Sequence, residues 1–514
     1  MILYFILNSP YYYGEGGSFI RRVDQLIAGR VPYKDFVYSY GPGPLYLTAY
    51  LYSILKVFGF NLKQAYYVFY SLMQVFGIVS LSYFINSLKC TAKVKNIMFI
   101  VFASMSWNIS MGINYSLLRF ITPFACIAFI HNVVTAERWG KRAMGGIVMA
   151  LPITATTLYL NFLISPEIGI TCSFAIIVYF VLGSIYYDRS RLVYVGVAAC
   201  SILIILLCLM PSGYWGTMLD VSGGANNFPV LPNATMLVYL LSVGIIVYMS
   251  AEITSEVKPD IFNLAIIVLA ITLLPGALGR CDPAHVYWYG CGMFIMSIAY
   301  LSVKRPSLCR AYLLVFVVIY IISLFANAYV AYGRSVLASL YYNVGNKYFS
   351  ENQIYAYATR IKLPVSDVEK VLRDAGRDYL GENKRFDKYY NIGSPFRIDD
   401  LLYGHLITAK KLAPEYYTSF EDVFTGKQLV RKINDLRSFS YVVVPIKEYE
   451  LIMSPPQYTL VQNEMRRLFL YPIIYKVKNV PLDLKREYLN YLAIHYRIID
   501  NIGDYYIMKK KVGI

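Results

Sequence analysis

The chain has 514 residues, 57% of them hydrophobic and only 15% charged, with a mean hydropathy of +0.47 and a net charge of +17. A soluble globular protein carries about a quarter charged residues, so this balance excludes one and makes a membrane the first partner to consider. The positive charge does not call for nucleic acid. About half of the excess lies in residues 1–331, where short-loop cations set topology, and the rest suits anionic head groups or a phosphate-bearing substrate.

In chain order, the apolar runs that read as spans are Gln64–Ile85, Ile97–Gly112, Phe120–Thr135, Met144–Leu163, Ile170–Tyr187, Leu192–Met210, Ala234–Ser250, Ile261–Leu278, Val286–Val303 and Ala311–Ala331. Most approach the ~20 residues that cross a ~30 Å hydrocarbon core. Leu45–Phe60 is apolar but short and contains Lys56, so it reads as a helix lying at the interface. Met1–Leu7 is followed at once by Asn8-Ser9-Pro10, too soon for a span, and lacks the basic region of a signal peptide. An outward first loop needs a helix leading into it from the cytoplasm. The reading therefore implies apolar residues ahead of Met1 and about 11 spans in all.

Orientation follows from the loops. Lys89, Lys93 and Lys95, then Arg138, Lys141 and Arg142, then Arg189 and Arg191, then Lys304, Arg305 and Arg310 mark the cytoplasmic side. The loop 251–260 dissents, with Glu252, Glu256 and Asp260 against a single Lys258, but acidic residues count little in this rule. The remaining loops face out, and with them the whole segment from Tyr332 onward.

Residues 332–514 carry 28 of the 48 basic and 20 of the 31 acidic residues and no apolar run long enough to span. This tail reads as a separate extracytoplasmic α/β or α+β domain, residues 1–331 forming the membrane domain. Strands are expected at Tyr441–Ile446 and at Tyr496–Asp500 and Tyr505–Lys510, the last two joined by Asn501-Ile502-Gly503-Asp504. Ser366–Gly376, capped by Ser366 with Glu369 three residues on, and Leu482–Ile494 read as helices. All eight cysteines precede residue 332, so the tail has no disulfide, and those in spans read as small apolar residues. No metal-ligand spacing, Walker loop, dinucleotide fingerprint or nucleophile elbow is present, and neither cofactor nor metal is expected. Many of the 51 tyrosines sit at span ends, where such rings anchor in any case.

Three polar clusters border apolar runs on the outer side: Gly14–Asp35, Ser165-Pro166-Glu167 and Arg280-Cys281-Asp282-Pro283-Ala284-His285. Ionisable groups against hydrocarbon are costly, which makes them functional candidates. In the first cluster Glu15 stands among Gly14, Gly16 and Gly17, and a helix is expected over Ser18–Ala28, ending at Gly29. Arg30-Val31-Pro32-Tyr33-Lys34-Asp35-Phe36 follows, then Tyr40-Gly41-Pro42-Gly43-Pro44 leading into the apolar helix that closes on Phe58-Gly59. This stretch resembles the first extracytoplasmic loop of the GT-C glycosyltransferases, polytopic enzymes that take a sugar from a polyprenyl-phosphate carrier, protein mannosyltransferases and aminoarabinose transferases among them. The likeness covers about 50 residues in detail and the hydropathy layout as far as residue 331. One departure stands out: the family has Asp, often an Asp-Glu pair, where this chain has the lone Glu15.

The resemblance implies a mostly helical membrane bundle and an inverting sugar transfer from a lipid-linked donor to a glycan, lipid or protein acceptor, with Glu15 as general base. The alternative for Glu15 is a carboxylate set favourably at a helix start. Asp35, the second catalytic candidate, also reads as a loop-ordering acceptor. Arg280, Asp282 and His285 form a phosphate grip or an interfacial turn whose Arg snorkels to head groups. Glu167, directly after Pro166, opens a helix or touches substrate; Arg119 binds phosphate or snorkels. Two other classes fit the same residues: a transporter or flippase for a lipid-linked glycan, and a non-catalytic subunit of cell-envelope assembly.

Overall fold

The computed structural model describes residues 15–34, 36, 38, 40–107, 115–135, 143–187, 189, 192–222, 233–280, 283–323, 429–430, 433–434, 441–445, 480–502 and 505–511. Among them seven helices are long and apolar enough to cross a membrane, or eight if one bent pair counts as a single span. This is a polytopic helical bundle. Of the expected span at Ile97–Gly112, the described part is the end of a 13-residue helix (Ala92–Ser104) followed by the 3-10 turn Met105–Trp107, and residues 108–112 lie outside the described residues. The span expected ahead of the first loop, the tail helix Ser366–Gly376 and Asp35 lie outside the described residues.

The chain enters through α1 (Glu15–Ile27) and α2 (Gly43–Leu55). α1 begins three residues earlier than its expected start, so Glu15, Gly16 and Gly17 are helical and not a glycine loop. An acidic residue at a helix start is favoured by the positive end of the backbone dipoles, which accounts for this extension. Its apolar residues recur at Phe19, Ile20 and Val23, and all three are buried. At 13 residues α2 rises about 20 Å, too short to cross hydrocarbon. α3 (Leu62–Ser87) starts in a capping box: Asn61 Oδ1 accepts from Gln64 N at 2.9 Å, and Gln64 Oε1 accepts from Asn61 N at 2.8 Å.

Four further helices position the site. α4 (Ser116–Thr135) starts four residues ahead of the expected Phe120 and so takes in Arg119. α5 (Ala143–Ile164) and α6 (Pro166–Tyr186) form a hairpin through Ser165, with Pro166 at the first helical position, where a missing N–H costs nothing. The run expected to be one span at Val286–Val303 is broken: α7 (Pro283–Tyr289) and α8 (Cys291–Lys304) meet at Gly290 with a 61° bend. Among the described residues two apolar cores stand out. The large one fills the bundle through residues such as Phe124, Phe162, Tyr179 and Phe294. The smaller one joins Phe19, Val23, Tyr33, Tyr38, Leu45, Phe69, Tyr115 and Tyr214 at one end.

The opposite end carries the acidic loop that dissented from the charge rule. Lys89 Nζ bonds Asp260 at 2.9 Å, Lys304 pairs with Glu252, and the Tyr187 hydroxyl donates to the Pro259 carbonyl at 3.0 Å. Hydrogen bonding to Asp260 holds the Lys89 ammonium above its ordinary pKa. The acidic residues thus neutralise cations of neighbouring loops at the same end, which is why they do not contradict the assignment of that end as one face. α6 links the two ends, running from Glu167 to the turn at Tyr187, about 30 Å by its 21 residues.

In the tail, β1 (Tyr441–Pro445), β2 (Tyr496–Ile502) and β3 (Tyr505–Lys510) form an antiparallel sheet in the order β1-β3-β2, with helix Val480–His495 leading directly into β2. The valine-rich and aromatic strands fall within a residue or two of the expected ones, as β-branched chemistry dictates.

One close approach fixes the loop before α2. Gly41 N donates to the Ile164 carbonyl at 3.1 Å, and a Cβ on Gly41 would lie 2.2 Å from the Leu163 carbonyl oxygen. Gly41→Ala should therefore lose about 1–3 kcal/mol to overpacking. Gly244→Ala, where a Cβ meets nothing within 4 Å in a helix interior, should hold or gain about 0.5–1 kcal/mol. Thermal unfolding of both variants in detergent checks the contrast; equal melting of the two would refute the close packing at Gly41.

Candidate functional site

The tight crossing at Gly41 sets the preceding residue, Tyr40, over the start of α4. The loop is reinforced from within. Tyr33 takes a left-handed φ of 69°, a strained choice for a side-chain-bearing residue. It is held by Tyr33 N to the Phe36 carbonyl at 2.8 Å, by its hydroxyl donating to the Tyr40 carbonyl, and by the Tyr214 ring edge-on at 5.0 Å. Tyr38 and Tyr115 share a hydroxyl contact of 3.2 Å, and the Arg22 guanidinium of α1 lies over the Tyr38 ring at 5.7 Å. Burial pushes the phenols of Tyr33, Tyr38 and Tyr115 well above their ordinary pKa, so all three are neutral hydroxyls at any physiological pH.

Arg119 is the centre of this end. Its guanidinium pairs with the Glu167 carboxylate, donates from Nη2 to the Tyr289 hydroxyl at 3.3 Å, and lies 4.8 Å from the ring centres of both Tyr40 and Phe120 and 6.0 Å from Tyr289. The Tyr289 hydroxyl in turn reaches Glu167 Oε1 at 3.4 Å, and Ser165 Oγ donates to Glu167 Oε2. His285, one helical turn before Tyr289, stacks on its ring at 6.2 Å and 16°. Gly276 makes room for that ring: a Cβ there would lie 2.1 Å from Tyr289 Cε1.

The Arg119 side chain is 9% exposed and the Glu167 side chain 34%. Arg119 therefore does not snorkel to head groups. The cause is its position inside α4 with a carboxylate and aromatic faces already around it; a desolvated guanidinium is stable only when paired in this way. Glu167 sits in the first turn of α6, as expected from Pro166.

The structure thus brings Arg119, Glu167 and His285 together with Tyr40. The side chains of Glu15 and Arg280, and Asp35 and Asp282 entirely, lie outside the described residues. Sequence reasoning missed Tyr289 and Tyr40. Tyr289 stands four residues after His285 and so on the same helical face, which was a usable signal; its place inside a long apolar run obscured it. Tyr40 carried no signal beyond its neighbour Gly41.

No family model, curated protein or solved structure matches the chain. Chemically, the cluster offers a fixed cation with phenol and serine hydroxyls beside it, roofed by rings at one end of an apolar bundle. Among the described residues no group of three His, Cys, Asp or Glu side chains could hold a metal ion.

Proposed function

We propose that the chain is a membrane glycosyltransferase of GT-C type that moves a sugar from a polyprenyl-phosphate carrier to an extracytoplasmic glycan, lipid or protein acceptor. The observation that carries this reading is the buried Arg119 guanidinium at the end of the bundle where the first loop, Ser165–Glu167 and the His285 segment meet. A dry cation at the edge of an apolar bundle suits a phosphate whose lipid tail stays in the bilayer. α1 belongs to the same end, since Arg22 lies over Tyr38 and Tyr38 touches Tyr115.

In this reading the Glu15 carboxylate takes the proton of the acceptor hydroxyl. The acceptor oxygen bonds to the anomeric carbon as the bond from that carbon to the phosphate oxygen breaks on the opposite face. The sugar is inverted and the carrier leaves as its phosphate, with Arg119 neutralising the leaving group. Arg280 and His285 are the second grip on the same phosphate, Asp282 orients them, and Asp35 orders the loop around the acceptor. The tail lies on the extracytoplasmic side of a cell inner membrane or plasma membrane and receives the acceptor.

A flippase is the second reading, and the 61° break at Gly290 favours it, because discontinuous helices recur at transport sites. Against it, the charges sit at helix starts and not deep in spans. Vesicles containing the purified protein, a set of polyprenyl-phosphate hexoses and pentoses, and glycan, lipid and protein acceptors separate the two. Transferase action breaks the glycosyl–phosphate bond and accumulates polyprenyl phosphate. Movement of intact donor between leaflets, with no bond broken, would overturn the transferase reading.

A further inference from the structure

We propose that Glu167 is a built-in occupant of an anion seat on Arg119, one that the donor's phosphate displaces and that helps to expel the carrier phosphate after transfer. The proposal rests on the transferase reading and adds a regulatory element to it.

The pair is asymmetric in a way that matters. Arg119 is nearly enclosed, with Tyr40 and Phe120 each 4.8 Å from its guanidinium, while the Glu167 carboxylate is about a third exposed. The cation is fixed and the anion is the partner that can leave. Glu167 is the second residue of α6, so side-chain rotation alone withdraws its carboxylate without moving a helix. What it would leave behind is a cradle: the guanidinium fork, the Tyr289 hydroxyl within 3.3 Å of Arg119, and Ser165 Oγ. Ser165 is the N-cap of α6, yet its side chain makes no cap hydrogen bond and is given to Glu167 instead. A carboxylate held by a guanidinium and two hydroxyls at a helix start occupies a site that equally fits a phosphate.

The charge arithmetic permits exchange. A sugar phosphodiester carries one negative charge, as Glu167 does, so replacement leaves the buried cation neutralised. Once the sugar has gone, the carrier is a monoester of about −1.5 to −2 at neutral pH. Such a product would hold Arg119 more tightly than the donor did. A tethered carboxylate competing for the same guanidinium counters that trapping, because a competitor on the same chain has a high effective concentration.

Glu167 is on this account a positioning residue, acting through Arg119. Binding of a short polyprenyl phosphate to the detergent-purified full chain tests it, with inorganic phosphate as the free-anion arm. Glu167→Gln should tighten the polyprenyl phosphate about tenfold or more, lower the KM for donor and lower kcat, with the product becoming the stronger inhibitor. Glu167→Asp, which keeps the charge but shortens its reach, should fall between; it decides the matter if the Gln variant does not fold. Unchanged or weaker binding in these variants would overturn the competitor role. Equal tightening toward inorganic phosphate would remove the carrier from the proposal. Arg119→Gln separates the two levels: if it leaves binding unaffected, the seat itself, and with it the phosphate-grip reading, fails.

Discussion

Glu15→Gln should lower sugar transfer by about 10²–10⁴-fold, the usual worth of a general base. The variant keeps size and hydrogen bonding and removes only the ability to take the acceptor's proton. Because Glu15 is the first residue of α1, the competing explanation is a helix-dipole contact, worth about 0.3–1 kcal/mol of stability. That contact would shift melting slightly and leave turnover alone. Glu15→Asp refines the test: it retains the carboxylate one methylene further back, so partial activity is expected. Transfer rates and melting of both variants, in membranes supplied with lipid-linked sugar, settle the choice. Normal product formation by the Gln variant would leave Glu15 as a helix-start residue and move the transport or assembly readings ahead.

Arg119→Ala should destabilise this end. It strands the Glu167 carboxylate and removes the group packed against Tyr40, Phe120 and Tyr289. The Glu167 carboxylate left behind is about a third exposed, so the lost pair costs less than the about 3–5 kcal/mol of a fully buried one, and each lost cation–π contact adds about 0.5–2 kcal/mol. Donor binding should disappear with it. Arg119→Lys keeps the charge but not the planar fork, so it should fold better and still bind donor weakly. Arg280→Ala, by contrast, should weaken donor binding with little change in melting. Melting curves beside donor-binding isotherms distinguish these patterns; a stable Arg119→Ala protein with normal donor affinity would refute both the buried pair and its role.

The spans were legible because apolar composition over about 20 residues is a strong signal. Gln64–Ser87, Ser116–Thr135, Pro166–Tyr186 and Ala234–Thr254 match their expected runs to within a few residues. The site was only half legible. Ser165-Pro166-Glu167 and His285 were visible as polar interruptions, and helix α6 starts where Pro166 dictates. Arg119 was visible but misplaced, because a span start set at Phe120 left it in a loop, whereas α4 begins at Ser116 and carries it inward. Tyr289 was hidden inside an apolar run whose break at Gly290 composition does not reveal. The convergence itself depends on Gly41 and Gly276, whose missing Cβ atoms admit Leu163 and Tyr289. That is a fact of packing and not of periodicity.

The ties at the two ends of the bundle also bear on its biogenesis. Lys89–Asp260 joins residues 171 apart in the chain, and Arg119–Tyr289 joins residues 170 apart. A nascent chain inserted as far as Thr254 already contains Arg119 and Glu167 but lacks Asp260 and Tyr289. The Lys89 tie can form only once Asp260 has emerged from the ribosome, and the Tyr289 tie only once the α7 segment has. Completion of both faces is therefore a late event: a chain truncated before residue 260 can already form Arg119–Glu167 and Gly41–Ile164 but neither of these two long-range ties.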